Sequence, residues 1–186
     1  VFEGILEVRL RGGFWWTVGM TWTAIDHIGL ENLMLFMYDD PEGLHRLMAF
    51  FRDDHIAFAQ WLETEGLLTP NNENDYIGSG SRGYTTELPQ TYNGIVRLKD
   101  LWVLSESQET VGISPEMYAE FVFPYQRAVI EKFGLSYYGC CEPVHERWEC
   151  LRQVPNLRSV SVSPWCDQEF IAEAMGRNYV FSRKPN

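Results

Sequence analysis

From Asp100 onward the chain repeats one arrangement: a short apolar run, a polar turn, then a helix-like stretch stopped by glycine or proline. "LWVLSES" reads as a buried strand, and Ser114 and Pro115 start a helix that runs toward Phe133 and stops at Gly134, with Pro124 forcing a kink or break. "LSYYGC" is the next strand, and a helix from about Pro143 to Gln153 follows it. "RSVSVS" is a third strand, and its helix is capped by Asp167 and closed by Gly176; "NYVFS" is a last strand. Strand and helix alternating in this way predict a parallel α/β arrangement.

The N-terminal part adds to this pattern. "GGFWWTVGM" resembles a strand, and helical pieces follow over 22–28 and 31–38. Counting it gives about six strands, where an intact eight-stranded α/β barrel takes about 250 residues. The expectation is therefore one α/β domain over 1–186, of (β/α)8 TIM-barrel type but incomplete. The chain opens at Val1 without Met and stops soon after a strand, which reads as part of a longer protein.

Between these regions lies the clearest helix. Asp40 is placed as its N-cap, Pro41 stands at the first helical position, and Gly66 marks its end. Leu44, Leu47, Met48, Phe51, His55, Phe58 and Leu62 form one stripe directed at a core, with His55 a hydrogen-bonded boundary histidine. After it the composition turns to Asn, Gly, Ser and Thr. A short strand at "DYIGS" leads into a long loop, about 69–99 in all, of the kind that often serves as a lid. Its glycines match neither phosphate-binding pattern.

Charge and hydropathy exclude some partners. A formal net charge of −11 with no basic block repels phosphate backbones and argues against nucleic acid. No apolar run approaches the roughly 20 residues of a membrane span. Cys140, Cys141, Cys150 and Cys166 belong to a chain that is 45% hydrophobic and needs no disulfide scaffold, so reduced thiols in a cytoplasm are expected.

Polar residues recur where strands end, the place where parallel α/β folds gather reactive groups. The clusters are Glu106, Ser107 and Gln108; Cys140, Cys141 and Glu142, with His145 one turn into a helix; Trp165, Cys166 and Asp167; and Ser182, Arg183 and Lys184. Thiolates, an imidazole and carboxylates are ligand types that zinc prefers, so Cys140, Cys141, His145 and Cys166 are the candidate metal ligands. The spacing has no C-x-x-C pair, and incidental thiols are the competing reading. Glu106 and Glu142 are the candidate acid and base groups, Glu106 having no structural role on offer and Glu142 also suited to the next helix's dipole. Gln108, Trp165, Arg82, Arg183 and Lys184 are candidate substrate-binding residues.

Three segments carry a resemblance: "DPEGLHRLMAFFRDDHIAFAQWLETEG", "VGISPEMYAEFVFPYQRAVIEKFG" and "YYGCCEPVHERWECLRQVPNLRSVSVSPWCD". Together they resemble the later part of the uroporphyrinogen decarboxylase superfamily, over about 36–186. That resemblance implies a (β/α)8 barrel and either of two activities. One is decarboxylation of a porphyrinogen-like polycarboxylate without a cofactor. The other is methyl transfer from a corrinoid, carried by a corrinoid protein, to a zinc-activated thiol. The methyltransferases carry a His-x-Cys pair at the strand that here reads "YYGCC"; Cys140 matches the cysteine, and Tyr138 stands at the histidine's position. The decarboxylases' arginine-rich segment and catalytic aspartate belong to the first half of the barrel, which has no counterpart in this chain. The expectation is a methyltransferase using a metal-activated thiol. The alternatives are a metal-free decarboxylase and an inactive partial barrel completed by self-association, as in a dimer, or by a partner chain.

Overall fold

The computed structural model describes residues 2–8, 11–12 and 17–185. Three helices come first: α1 (Thr21–Ile28), α2 (Leu30–Asp39) and α3 (Pro41–Thr64). The ends of α3 follow from local chemistry. Asp40 accepts the Gly43 N–H at 2.9 Å, Pro41 occupies the first turn, and the chain leaves past Gly66 at φ +66°. Leu44, Met48, Phe51 and Leu62 are buried as the stripe requires. Phe58 is a correction: it is exposed and stacks on Trp61, while Ala59 takes the buried position. Near this end of the helix a loop approaches from another side, where Glu63 accepts the Leu98 N–H at 2.6 Å.

An antiparallel hairpin follows, β1 (Tyr76–Gly78) and β2 (Ser81–Arg82). Next come β3 (Trp102–Ser105), α4 (Pro115–Phe121), α5 (Phe123–Ile130), β4 (Leu135–Tyr138), α6 (Trp148–Leu151), β5 (Leu157–Val162), α7 (Gln168–Met175) and β6 (Val180–Arg183). The fold is mixed α/β. Its sheet is parallel, in the order β3-β4-β5-β6, so each strand pairs with the next one along the chain.

Pro124 breaks the helix between β3 and β4 in two, at Val122, as the missing N–H requires. The helix expected over 143–153 is a correction. Val144–Arg147 wind as a 3-10 turn, and only Trp148–Leu151 are α-helical. Three residues per turn bring Val144 and Arg147 onto one side, and both are buried. Of the strand expected over 12–20, residues 13–16 lie outside the described ones. Residues 17–19 form no strand, and Val18 makes one strand-like bond, its N–H to the Leu104 carbonyl at 2.9 Å.

The two faces of the sheet are covered differently. Val103, Tyr138, Val160 and Val162 face the helices and belong to the main core with Phe121, Val129, Leu151 and Ile171. Burying each of the valines is worth roughly 2 kcal/mol. The opposite face carries Trp102, Leu135 and Tyr137, which form a smaller core with Ile77 and Leu88.

Two residues of the long 69–99 segment, Ile77 and Leu88, belong to that second core. The segment is a plug against the sheet, and its apolar residues are what hold it there. Gly78 makes the approach possible, since a Cβ there would fall 2.2 Å from the Tyr137 ring. Asn71 brackets Trp102, donating to its carbonyl at 2.9 Å and accepting its N–H at 2.8 Å, and so satisfies the outer edge of β3. Among the described residues the sheet is open, with β3 and β6 at its edges. No helix among them is long and apolar enough to cross a membrane.

Candidate active site at the strand ends

The loops after β3 and β4 meet through a glutamate. Glu142 is fully buried, and its two carboxylate oxygens accept the N–H of Ser107 at 2.9 Å and of Cys140 at 2.7 Å. Two N–H donors, one on each oxygen, fix the side chain in one orientation. Glu142 therefore ties one loop to the other, where the sequence suggested a role in the next helix's dipole. Gly139 precedes it at φ +102°, and a Cβ there would crowd Val144 and Ser161, so the turn after β4 needs glycine.

Glu106 follows β3 and is 4% exposed. Burial, and next the charge of Glu142, raise its pKa from 4.5 to about 8, against a lowering hydrogen bond from the Gln108 N–H at 2.9 Å. That bond is a structural role the sequence did not suggest. At neutral pH Glu106 holds a proton. With Thr17, Tyr76, Ser79, Leu104, Gln108 and Cys140 it lines a cavity of about 80 Å³.

A buried polar network fixes this loop from behind. Gln126 donates to the carbonyls of Gly19 at 2.7 Å and Glu106 at 2.9 Å, and accepts from the Tyr138 hydroxyl at 3.0 Å. Tyr138 also meets Tyr118 at 2.8 Å and Ser107 at 3.1 Å. Burial pushes both tyrosines well above their ordinary pKa, so their protons stay in place. Arg147, 4% exposed, donates to the carbonyls of Ser107 at 3.0 Å and Thr110 at 2.7 Å, with its guanidinium 4.5 Å from the centre of the Tyr118 ring. The peptide unit of Ser107 thus lies between a buried carboxylate and a buried guanidinium.

The thiols sit beside this network. Cys140 lines the Glu106 cavity, and burial, then contact with Cys141 and Glu142, outweighs a lowering hydrogen bond to Ser79 and pushes its thiol up to about 11. Cys141 is exposed, with its Sγ 3.7 Å from that of Cys140. A wider cleft of about 520 Å³ is lined by Cys141, Gln108, Val111, Pro143 and Trp165. Trp165 is 74% exposed.

The other expected residues are more scattered. Cys166 is buried, its sulfur 3.6 Å from the Ser163 hydroxyl. His145 accepts the Asp167 N–H at 3.2 Å through Nδ1. Among the described residues no group of three His, Cys, Asp or Glu side chains could hold a metal ion. A zinc site with an open position, the kind that the sequence suggested, takes three protein ligands, and Cys140, Cys141, His145 and Cys166 do not form such a group among the described residues. Arg82 is exposed on the hairpin, and Arg183 bonds Gln168 at 3.2 Å. Lys184 reaches inward to the Ser79 carbonyl and to the hydroxyls of Tyr137 and Ser182, each 3.0 Å away.

Sequence reasoning passed over Arg147, Gln126 and Tyr118, and met Tyr138 only as the residue at the histidine's position. A signal existed for Arg147. Val144, Arg147, Trp148 and Leu151 keep an i, i+3, i+4, i+7 spacing, which puts the cation on an apolar stripe. Compared with protein-family models, with curated proteins and with solved structures, the chain matches none of them.

Proposed function

We propose that the chain is part of a (β/α)8 barrel of the uroporphyrinogen decarboxylase superfamily, and that its strand-end site donates a proton in a metal-free decarboxylation. The barrel is supported by consecutive parallel strands whose helices, among the described residues, pack against one face. The observation that carries the chemistry is Glu106, a buried acid still protonated near neutral pH, on the wall of a cavity.

In the step proposed, the bond between a substrate carbon and its carboxylate breaks, CO₂ leaves, and the electron pair stays on carbon. Glu106 gives that carbon its proton. The carboxylate left behind is buried beside Glu142, which drives it to take a proton back from solvent. A porphyrinogen-like polycarboxylate is the substrate class. Its pyrrole faces suit the cleft walled by Trp165 and Gln108, since each pyrrole is planar although the methylene-bridged macrocycle is puckered.

A second function, methyl transfer from a corrinoid to a zinc-activated thiol, is favoured by the Cys140 and Cys141 sulfurs 3.7 Å apart. It requires donors beyond that pair, and elemental analysis for zinc separates it from the first. The outer edge of β6 has no strand partner among the described residues, so a further strand of a longer chain or a second copy would pair there.

The test is release of CO₂ from porphyrinogen polycarboxylates under anaerobic conditions, with deuterium incorporation from D₂O. Glu106→Gln should slow both by about 10²- to 10⁴-fold. Equal rates in the two proteins, or no release from any such substrate, overturn the assignment.

A further inference from the structure

The proton-transfer chemistry makes no use of the two thiols after β4. Their sulfurs stand 3.7 Å apart, already at contact, whereas a disulfide bond is about 2.05 Å long. They open to different spaces, Cys140 to the cavity lined by Glu106 and Cys141 to the wider cleft beside Trp165.

The backbone is held on one side of the pair. The Cys140 N–H is bound by Glu142 at 2.7 Å and its carbonyl by the Ser161 hydroxyl at 2.8 Å. Cys141 lies in an irregular bend and is exposed, so it has room to rotate. Neither remaining cysteine competes, since Cys166 is enclosed by Ser163 and Glu142, and Cys150 belongs to α6.

We infer that Cys140 and Cys141 are a reversible thiol–disulfide modification site, closed by rotation of the exposed Cys141 side chain onto the Cys140 sulfur beside the Glu106 cavity. The oxidant is a small-molecule disulfide of the glutathione class. The exposed Cys141 thiolate attacks one of its sulfurs and expels one thiolate, leaving a mixed disulfide. The Cys140 sulfur, giving up its proton, then attacks the Cys141 sulfur and expels the second thiolate. The protein loses two protons and two electrons, and the oxidant is reduced to two thiols. Adjacent Cα atoms are about 3.8 Å apart, below the usual disulfide range of about 4.4 to 6.8 Å, so the ring is strained and readily reduced.

The experiment treats the reduced protein with oxidised glutathione, counts free thiols, and maps peptides by mass spectrometry without reduction. Free thiols should fall from four to two. The peptide with both cysteines should be lighter by two hydrogens, carry no glutathione, and recover with dithiothreitol. Cys140→Ser should stop at a glutathione adduct on Cys141, and Cys141→Ser should form neither product. A lasting adduct on Cys141 in the unaltered protein, an unchanged thiol count, or a crosslink to Cys150 or Cys166 overturns the inference. The readout is thiol mass, so it stands or falls separately from CO₂ release.

Discussion

Glu106→Gln isolates the energetic consequence of burying an acid beside another carboxylate. A folded-state pKa raised from 4.5 to about 8 means the native state binds this proton more tightly than the unfolded chain does. The stability tied to it is fully present below about pH 4.5 and is lost as pH climbs to about 8. Across that window, at about 1.4 kcal/mol per pH unit, the loss comes to about 5 kcal/mol, a ceiling reached only if no water enters. Glutamine has nearly the same shape, its carbonyl can accept the Gln108 N–H, and it does not titrate. Urea unfolding followed by tryptophan fluorescence, from about pH 5 to about pH 9, should show wild type weakening with pH relative to the variant. With a urea slope of about 2 kcal/mol/M, the difference in midpoint should grow by about 2 M. Titrations shared by both proteins cancel in that difference. Parallel profiles, or a Glu106 carboxyl that titrates near its ordinary value by ¹³C NMR, would refute the reasoning.

Two other substitutions probe the same frame. Arg147→Met removes the charged donors to the Ser107 and Thr110 carbonyls; it should cost about 2 to 4 kcal/mol in urea unfolding at neutral pH. It should also raise the Glu106 pKa further, because Arg147 lowers it, and ¹³C NMR reads that shift. Gly78→Ala drives a methyl group into the Tyr137 ring and should destabilise by about 1 to 3 kcal/mol, seen as a lower Tm; an unchanged Tm would mean that the hairpin does not pack as described.

The parts of this molecule that the sequence makes legible are those whose causes lie within a turn or two. Asp40 and Pro41 start α3, Pro124 divides α4 from α5, Asp167 caps α7, and each parallel strand falls on its apolar run. The gathering of Glu106, Gln108, Cys140 and Cys141 near one end of the sheet was likewise readable, because strand ends in a parallel sheet point the same way. Which thiol faces which space was not readable, nor was the failure of Cys166 and His145 to join Cys140, since a bend after β4 directs those side chains.

What only the tertiary structure decided are matters of distant partners. Glu142 serves Ser107 across 35 positions, Gln126 serves Gly19 across 107, and residues 77 and 88 cover the sheet from within a segment whose composition reads as loop. The proton on Glu106 belongs to this second kind. Its sequence neighbours are polar, and what raises its pKa is burial beside Glu142, a residue from the next loop. Local propensity fixes elements because its interactions span a few residues, whereas the charge state of a buried acid depends on everything that replaces its water, and that is assembled only when the chain has folded.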